Sequence, residues 1–247
     1  MATDDWRALS HPRLDADVAH VWRIALDDEA RIDASWPLLS AEERARAQRF
    51  HRDVHRRRYV AAHGALRVII GGYVGADPAS LDFVVGEHGK PALRRHDGMA
   101  ASDIEFNLSH SADLALVAVA RARPVGVDLE RWASDVEHLD LAERFFSPAE
   151  RRALRALAPA PDLIASGFFA AWTRKEAYLK AIGYGISRGL HHFDVTLAPG
   201  ERARLLADRL DETAIERWSM TDLDPAPGYS AALVVASPLH DVLRLVM

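Results

Sequence analysis

Two carboxylates in a short apolar segment are the first candidates for chemistry. Asp128 and Glu130 stand two residues apart in Gly126-Val127-Asp128-Leu129-Glu130, which we predict to be a strand. Alternate side chains of a strand share a face, so both carboxylates point the same way and repel each other unless a cation lies between them. Carboxylate oxygens suit Mg²⁺, which takes one or two carboxylates together with substrate phosphates. The alternative is a solvated strand end that carries two acidic residues.

A predicted helix places a second carboxylate and cation on one face. Glu176 and Lys180 stand four residues apart in the segment 172–180, so they are neighbours across one helical turn. A surface ion pair in this order is common and only weakly stabilising. The composition argues against that simpler interpretation, because the chain has 28 arginines but only three lysines, and Lys175 and Lys180 both lie in this segment. A titratable Lys ammonium is not interchangeable with the fixed fork of Arg.

Two further segments carry groups that suit an anion. Lys90 lies in the loop 86–91, which contains two glycines and a proline, and it is either a point charge for a phosphate or a solvated turn lysine. Ser109 and His110 are sequential neighbours on a predicted strand, so they point to opposite faces and do not form a Ser-His-Asp triad with Asp113 by themselves. His110 is either a donor to an anionic ligand or a histidine satisfied by backbone.

An arginine-rich helix is the last candidate. The stretch 42–67 has eight arginines against three acidic residues, a local charge of +5 in a chain of net charge −5. The arginines are Arg44, Arg46, Arg49, Arg52, Arg56, Arg57, Arg58 and Arg67. Arg forks bind phosphate monoesters well, so this charge separation favours an anion site over a solvated helix face.

The composition excludes several classes of protein. The 247 residues are 49% hydrophobic and 27% charged, which is typical of a globular chain and not of a disordered one. The net charge of −5 argues against a nucleic-acid or membrane surface, and no apolar run reaches the roughly 18 residues of a transmembrane helix. Cysteine is absent, which excludes disulfides, thiolate nucleophiles and cysteine-ligated zinc, and fits a cytoplasmic protein.

The elements that must position these residues predict an α+β fold, with helices packed on small, mostly antiparallel sheets. Capping boxes at Ser40 and Ser147 mark two helix starts. A plausible joint at 121–124 divides the chain into two similar halves, 1–123 and 124–247. The predicted helices are 40–70, 147–158 and 162–182, and the predicted strands are 20–26, 81–85, 104–108, 114–120, 125–129, 193–197, 215–223, 229–236 and 242–246.

Taken in order, these segments resemble one family. Four segments, in this order, are similar to the motifs of the 4′-phosphopantetheinyl transferases of the surfactin-synthetase type. They are Gly-Lys-Pro at 89–91 and the segments 106–111, 126–130 and 172–180. The segments 39–44, Arg49-Phe50 and 144–147 are also similar to that family. The resemblance covers about 39–187, and four ordered motifs make it specific.

The resemblance implies two pseudo-symmetric α+β lobes with the active site at the lobe interface, in a monomer without nucleic-acid or membrane partners. It implies transfer of the phosphopantetheine arm of coenzyme A to a serine of an apo acyl or peptidyl carrier protein, with release of adenosine 3′,5′-bisphosphate. Coenzyme A is the co-substrate and Mg²⁺ the cofactor. The first lobe would contact the coenzyme A phosphates, and the second would carry the metal and catalytic residues.

The resemblance also implies a role for each site residue. Asp128, Glu130 and Glu176 would hold Mg²⁺, and Glu176 would help to deprotonate the serine, directly or through water. Lys180 would steady or protonate the leaving phosphate. The residues implied for coenzyme A are Arg46, Arg58, Lys90, Ser109, His110 and Lys180.

Two departures and two alternatives remain. Glu43 occupies a place where some relatives carry a basic residue, and Tyr184 a place where Lys is frequent. One alternative activity is a module that binds coenzyme A or a carrier without turnover. The other is a Mg²⁺-dependent pyrophosphate hydrolase.

Overall fold

The computed structural model describes residues 12–86, 89–94, 103–133, 137–158 and 160–247. Two compact units divide the chain: the first spans 1–122 together with Asp241–Met247, and the second spans Arg123–His240. Both consist of helices packed on small sheets, so the α+β class predicted from the sequence is confirmed. The predicted division assigned the last strand to the second half, whereas that strand pairs in parallel with the first strand of unit 1.

The strands in the described residues are β1 Val18–Ala25, β2 Phe83–Val85, β3 Pro91–Leu93, β4 Ile104–Ser111, β5 Leu114–Arg121, β6 Val125–Arg131, β7 Phe193–Val195, β8 Leu205–Asp208, β9 Trp218–Leu223, β10 Tyr229–Ala236 and β11 Asp241–Val246. The helices there are α1 Glu29–Ser35, α2 Ala41–Ala47, α3 Asp53–Val74, α4 His138–Phe145, α5 Pro148–Arg155, α6 Pro161–Ala181 and α7 Ala214–Arg217. None of them is both long and apolar enough to cross a membrane.

Each unit has one main sheet within the described part of the chain. In unit 1 the order is β11-β1-β5-β4, and in unit 2 it is β6-β10-β9. The pairs within both sheets are antiparallel except β1 with β11. The strand β5 lies between two partners and is buried along most of its length, as its uniformly apolar sequence predicts.

The predicted helix 40–70 is two helices. Ser40 begins α2 with the expected capping box, but Arg52 takes an extended conformation that separates α2 from α3. The second helix then continues through Gly71 to end at Gly75, where φ is +67°. A residue without a Cβ adopts that left-handed conformation at little cost, so Gly75 and not the earlier glycines ends the helix.

In unit 2 the start of α5 agrees with the prediction from the sequence, and the start of β9 differs from it. Ser147 caps α5, with Pro148 in the first turn and Glu150 completing the capping box. The predicted strand 215–223 instead opens with α7, and β9 begins at Trp218. The side chains of 214–217 have no strand alternation, so periodicity favours the helical turn.

The close contact between β6 and α6 depends on Gly126. A Cβ at this position would overlap the carbonyl oxygen of Ala177 and the amide nitrogen of Ala181. The side chains of 126, 128 and 130 share one face of β6, so the helix lies over the same face that carries the two carboxylates. The missing side chain therefore brings α6 within reach of the acidic pair.

We expect Gly126→Ala to lower the free energy of unfolding by at least about 2 kcal/mol, because backbone atoms of α6 occupy the space that the new methyl group needs. Gly185→Ala is the matched control in the same unit, since the nearest atom to its Cβ would be Ser187 Oγ at 4.0 Å. Urea unfolding of both variants measures the difference. Equal losses would show that the close approach is not tight.

A buried histidine in unit 1 is held in its neutral form. His20 Nδ1 lies 2.6 Å from the Tyr73 hydroxyl, which accepts a hydrogen bond of 2.9 Å from Trp22 Nε1. In the neutral tautomer with its proton on Nε2, His20 Nδ1 accepts the hydroxyl proton of Tyr73. Burial lowers the pKa of His20 from 6.5 to about 4, although Asp15 opposes the shift.

This pKa makes the stability of the fold depend on pH. Between pH 6.5 and 4 the unfolded chain binds a proton at His20 that the folded chain does not, so stability is complete above pH 6.5 and decreases as the pH falls. Between pH 6.5 and 5 we expect the free energy of unfolding of His20→Gln to fall by about 2 kcal/mol less than that of the wild type. Paired denaturation series at both pH values measure this difference. Parallel pH profiles for the two proteins would contradict it.

Candidate active site

The two acidic segments singled out in the sequence meet in unit 2. Lys180 Nζ on α6 donates hydrogen bonds to Asp128 Oδ1 at 2.7 Å and to the carbonyl oxygen of Val127 at 3.2 Å, both on β6. Asp128 is buried, while the Lys180 side chain is about one quarter exposed, at 28%. The structure thus joins the predicted active-site helix to the predicted acidic strand through one charge-assisted hydrogen bond.

Glu176 is the titratable centre of this cluster. Burial raises its pKa to about 7, with further increases from the charges of Asp128 and Glu130 and an opposing effect from Lys180. Its Oε1 atom is buried, and among the described residues no donor reaches it. A carboxyl with a pKa near neutrality can both accept and release a proton at neutral pH.

The donor set of this cluster fits a hard divalent cation. The charges of Asp128 and Glu130 act on the buried Glu176, and no donor among the described residues reaches one of its oxygens. A divalent ion would relieve both the mutual repulsion and the desolvation that raise the pKa of Glu176. No three His, Asp or Glu side chains in the described part of the chain are already arranged to hold a metal; Lys180 supplies the positive charge beside Asp128.

Lys175, the neighbour of Glu176, points to a different face of α6, about 100° around the helix axis. Its Nζ lies 2.8 Å from Glu150 Oε1 and also donates to the carbonyl oxygens of Leu190 and Phe193. The Lys175 side chain is 0% exposed and that of Glu150 is 3% exposed. Burial lowers the pKa of Lys175, and Glu150 opposes that shift. Sequence reasoning missed this pair, although Glu150 was identified as a capping residue.

In unit 1, the arginines of the cationic stretch have different surroundings. Arg46 lines a cavity of about 430 Å³ together with Tyr59, His63 and Arg94, so it can meet an anion there. Arg58 does not line that cavity, and it forms a bidentate pair with Asp27 at 2.7 and 2.6 Å.

Glu43, which departs from the family pattern, is part of the same cavity wall. Burial alone would raise its pKa, but hydrogen bonds from His63, the Ser40 amide and Arg67 outweigh this effect and hold the pKa at about 2. Arg67 is almost fully buried and also donates to the carbonyl oxygens of Pro78 and Leu81. Glu43 is therefore an anion that pairs with the buried Arg67 in the cavity wall.

The other predicted phosphate contacts lie on β4 and the loop before β3. Ser109 is buried and His110 is exposed, as opposite faces of a strand require. Burial lowers the pKa of Lys90, and Glu105 opposes the shift. Residues 87 and 88 of the predicted Lys90 loop are outside the described residues.

We expect Arg67→Met to cost about 3 kcal/mol or more, because it leaves Glu43 as a buried charge without its Arg partner. Arg58→Met breaks a bidentate but more exposed pair and should cost less than about 1 kcal/mol. Guanidinium unfolding curves measure both. A loss at Arg67 no larger than that at Arg58 would show that the Glu43 network does not stabilise unit 1.

Comparison with known proteins identifies the family of this chain. The family model of the 4′-phosphopantetheinyl transferase superfamily matches residues 124–234, and that of the N-terminal region of 4′-phosphopantetheinyl transferase matches residues 27–122. The chain is 44% identical over 225 residues to the 4′-phosphopantetheinyl transferase HetI of Nostoc sp., covering 90% of this chain and 89% of the relative.

Two Bacillus proteins agree with this match. The 4′-phosphopantetheinyl transferase psf-1 of Bacillus pumilus is 34% identical, covering 86% of this chain and 87% of its own. The 4′-phosphopantetheinyl transferase Sfp of Bacillus subtilis is 29% identical, covering 81% and 83%. The resemblance read from the sequence motifs is confirmed. This chain belongs to the 4′-phosphopantetheinyl transferase superfamily.

Proposed function

We propose that this chain transfers the 4′-phosphopantetheine arm of coenzyme A to a serine hydroxyl of an apo carrier protein, with Asp128, Glu130, Glu176 and Lys180 as the reacting centre. Family membership supports the reaction class. The observation that carries the residue assignment is the meeting of Lys180 with Asp128 beside a buried Glu176 whose pKa is about 7.

Each of these residues has a distinct task. Glu176 accepts the proton of the serine hydroxyl, directly or through a water molecule, because a hydroxyl is a poor nucleophile until a base removes its proton. The serine oxygen then forms a bond to the phosphorus that carries pantetheine, and the bond from this phosphorus to the bridging pyrophosphate oxygen breaks. Lys180 stabilises the negative charge on the leaving adenosine 3′,5′-bisphosphate.

Asp128, Glu130 and Glu176 would hold a divalent cation, for which we propose Mg²⁺. Bound there, Mg²⁺ would neutralise charge on the pyrophosphate of coenzyme A. The carboxylate oxygens of these residues match its preference for hard ligands.

We propose further that unit 2 carries the metal and catalytic residues, and that unit 1 supplies the coenzyme A phosphate contacts. Those contacts would come from Arg46, Arg58, Lys90, Ser109 and His110. For Arg46 the position in a cavity wall supports the assignment. Arg58 would have to share its guanidinium with Asp27. We place this activity in the cytoplasm, which the absence of cysteine fits, and in a monomer, as the family resemblance implies.

A panel of apo carrier proteins from fatty-acid, polyketide and nonribosomal-peptide synthesis tests the reaction. With coenzyme A and Mg²⁺, intact-mass measurement should show a gain of one phosphopantetheine arm on at least one carrier. Saturable coenzyme A binding without any mass gain would favour a binding module. Release of adenosine 3′,5′-bisphosphate without a carrier would favour a pyrophosphate hydrolase.

Variants of the reacting centre test the roles. We expect Glu176→Gln and Lys180→Ala each to lower kcat by about 10²-fold or more, because each removes a proton-transfer or charge-stabilising group. Arg155→Ala removes an exposed cation that pairs with Glu143 in the same unit and should leave the rate unchanged. Steady-state transfer assays measure all three. Near-normal rates for the first two variants would contradict the assignments.

A further inference from the structure

We propose that the buried pair Lys175–Glu150 is the positioning clamp of the reacting centre, holding α6 at the rotation that directs Glu176 toward Asp128 and Glu130. The proposal rests on the proposed function, because it gives a purpose to the geometry of that same site. Lys175 and Glu150 are positioning residues, since neither faces the region in which the reaction is placed.

The ammonium of Lys175 is fixed in three directions. Its three N–H groups match three acceptors: Glu150 Oε1 at 2.8 Å, the carbonyl oxygen of Leu190 at 2.8 Å and that of Phe193. The Phe193 ring also lies 4.2 Å from Nζ. These acceptors come from two segments, the first turn of α5 and the stretch 190–193, and together they fix the part of α6 that carries the lysine.

The carboxylate of Glu150 is equally constrained. Its Oε2 accepts from the Ser147 amide in the capping box of α5, and its Oε1 accepts from the amide of Val195 in β7. The clamp thus ties α6 to the start of α5 and to β7 at once. An acceptor held by two backbone amides cannot follow the lysine if α6 rotates.

Because Lys175 and Glu176 are consecutive residues of α6, fixing the direction of Lys175 also fixes the direction of Glu176. Side chains of a helix are separated by about 100° per residue, so Lys175 toward α5 sets Glu176 toward β6. On the other side, α6 already lies so close to β6 that a Cβ at Gly126 would overlap Ala177. The helix therefore has no room to shift toward β6. The helix is therefore held between β6 and the clamp.

Stability alone is a weak reason for such a pair. Two charges taken out of water cost desolvation energy, and well-packed apolar residues of similar volume often give equal or greater stability. A requirement to fix the rotation of α6 explains the pair better. Apolar side chains would fill the same volume, but they make no directional hydrogen bonds. Stability and orientation can therefore be separated by experiment.

The test compares Glu150→Gln, Lys175→Met and the double variant Lys175→Met/Glu150→Met with Tyr178→Phe. The control removes another buried hydrogen bond of the same helix, from Tyr178 to Asp208 at 2.6 Å, without touching the clamp. Each protein is measured for Tm, for kcat and KM with the carrier, and for Mn²⁺ affinity by electron paramagnetic resonance with coenzyme A present.

We expect both single variants to lose about 10- to 100-fold in kcat and in Mn²⁺ affinity, as is typical when the partners that orient metal ligands are removed, with little change in KM for the carrier. The double variant leaves no unpaired buried charge, so it should recover part of the Tm that Lys175→Met loses, but it should keep the loss in kcat and Mn²⁺ affinity. Tyr178→Phe should lower Tm without either loss.

A double variant with restored Tm, restored kcat and restored Mn²⁺ affinity would overturn the clamp and leave the pair a purely structural element. Losses in kcat that follow Tm alone across all four variants would do the same. An inactive wild-type enzyme on every carrier would instead contradict the proposed function. An active wild type that binds no Mn²⁺ would contradict the metal set, and kcat of the double variant would then decide the clamp.

Discussion

The approach of α6 to β6 at Gly126 is the constraint on which the reacting centre depends. Without a side chain at that position, the helix lies close enough for Lys180 to reach Asp128 and for Glu176 to lie beside two further carboxylates. The strand supplies acidic groups on one face, and the helix supplies a carboxyl group and a cation one turn apart. The proposed reaction depends on the short distance between β6 and α6, because neither element alone carries all of these groups.

Burial sets the pKa of Glu176 and also imposes a desolvation energy on the buried charges of α6. Desolvation raises the pKa of Glu176 to about 7, where a carboxyl can exchange protons at neutral pH. The same low dielectric makes misplaced charges expensive, so α6 needs firm anchors on its other faces. Arg174 pairs with Asp222 on β9 and Lys175 with Glu150 on α5. Two successive residues of one helix thus pair with side chains of two different elements.

Local signals were enough to predict much of the fold and of the site. The capping boxes at Ser40 and Ser147 depend only on neighbours in the chain, and both helices begin where the sequence predicts. Glu176 and Lys180 were placed together by helical spacing alone. Features that depend on distant partners were not predictable: the pairing of β11 with β1, the extended Arg52 and the acceptor of Lys175. Nothing near Lys175 in the sequence indicates that Glu150 will lie beside it.

The most direct test of the account is the location of the divalent cation. A crystal grown with coenzyme A and Mn²⁺ would show it by anomalous scattering. The account predicts one anomalous peak in unit 2, bound by carboxylate oxygens of Asp128, Glu130 and Glu176. A peak bound by other residues, or a complex with coenzyme A that holds no metal at these three carboxylates, would contradict it.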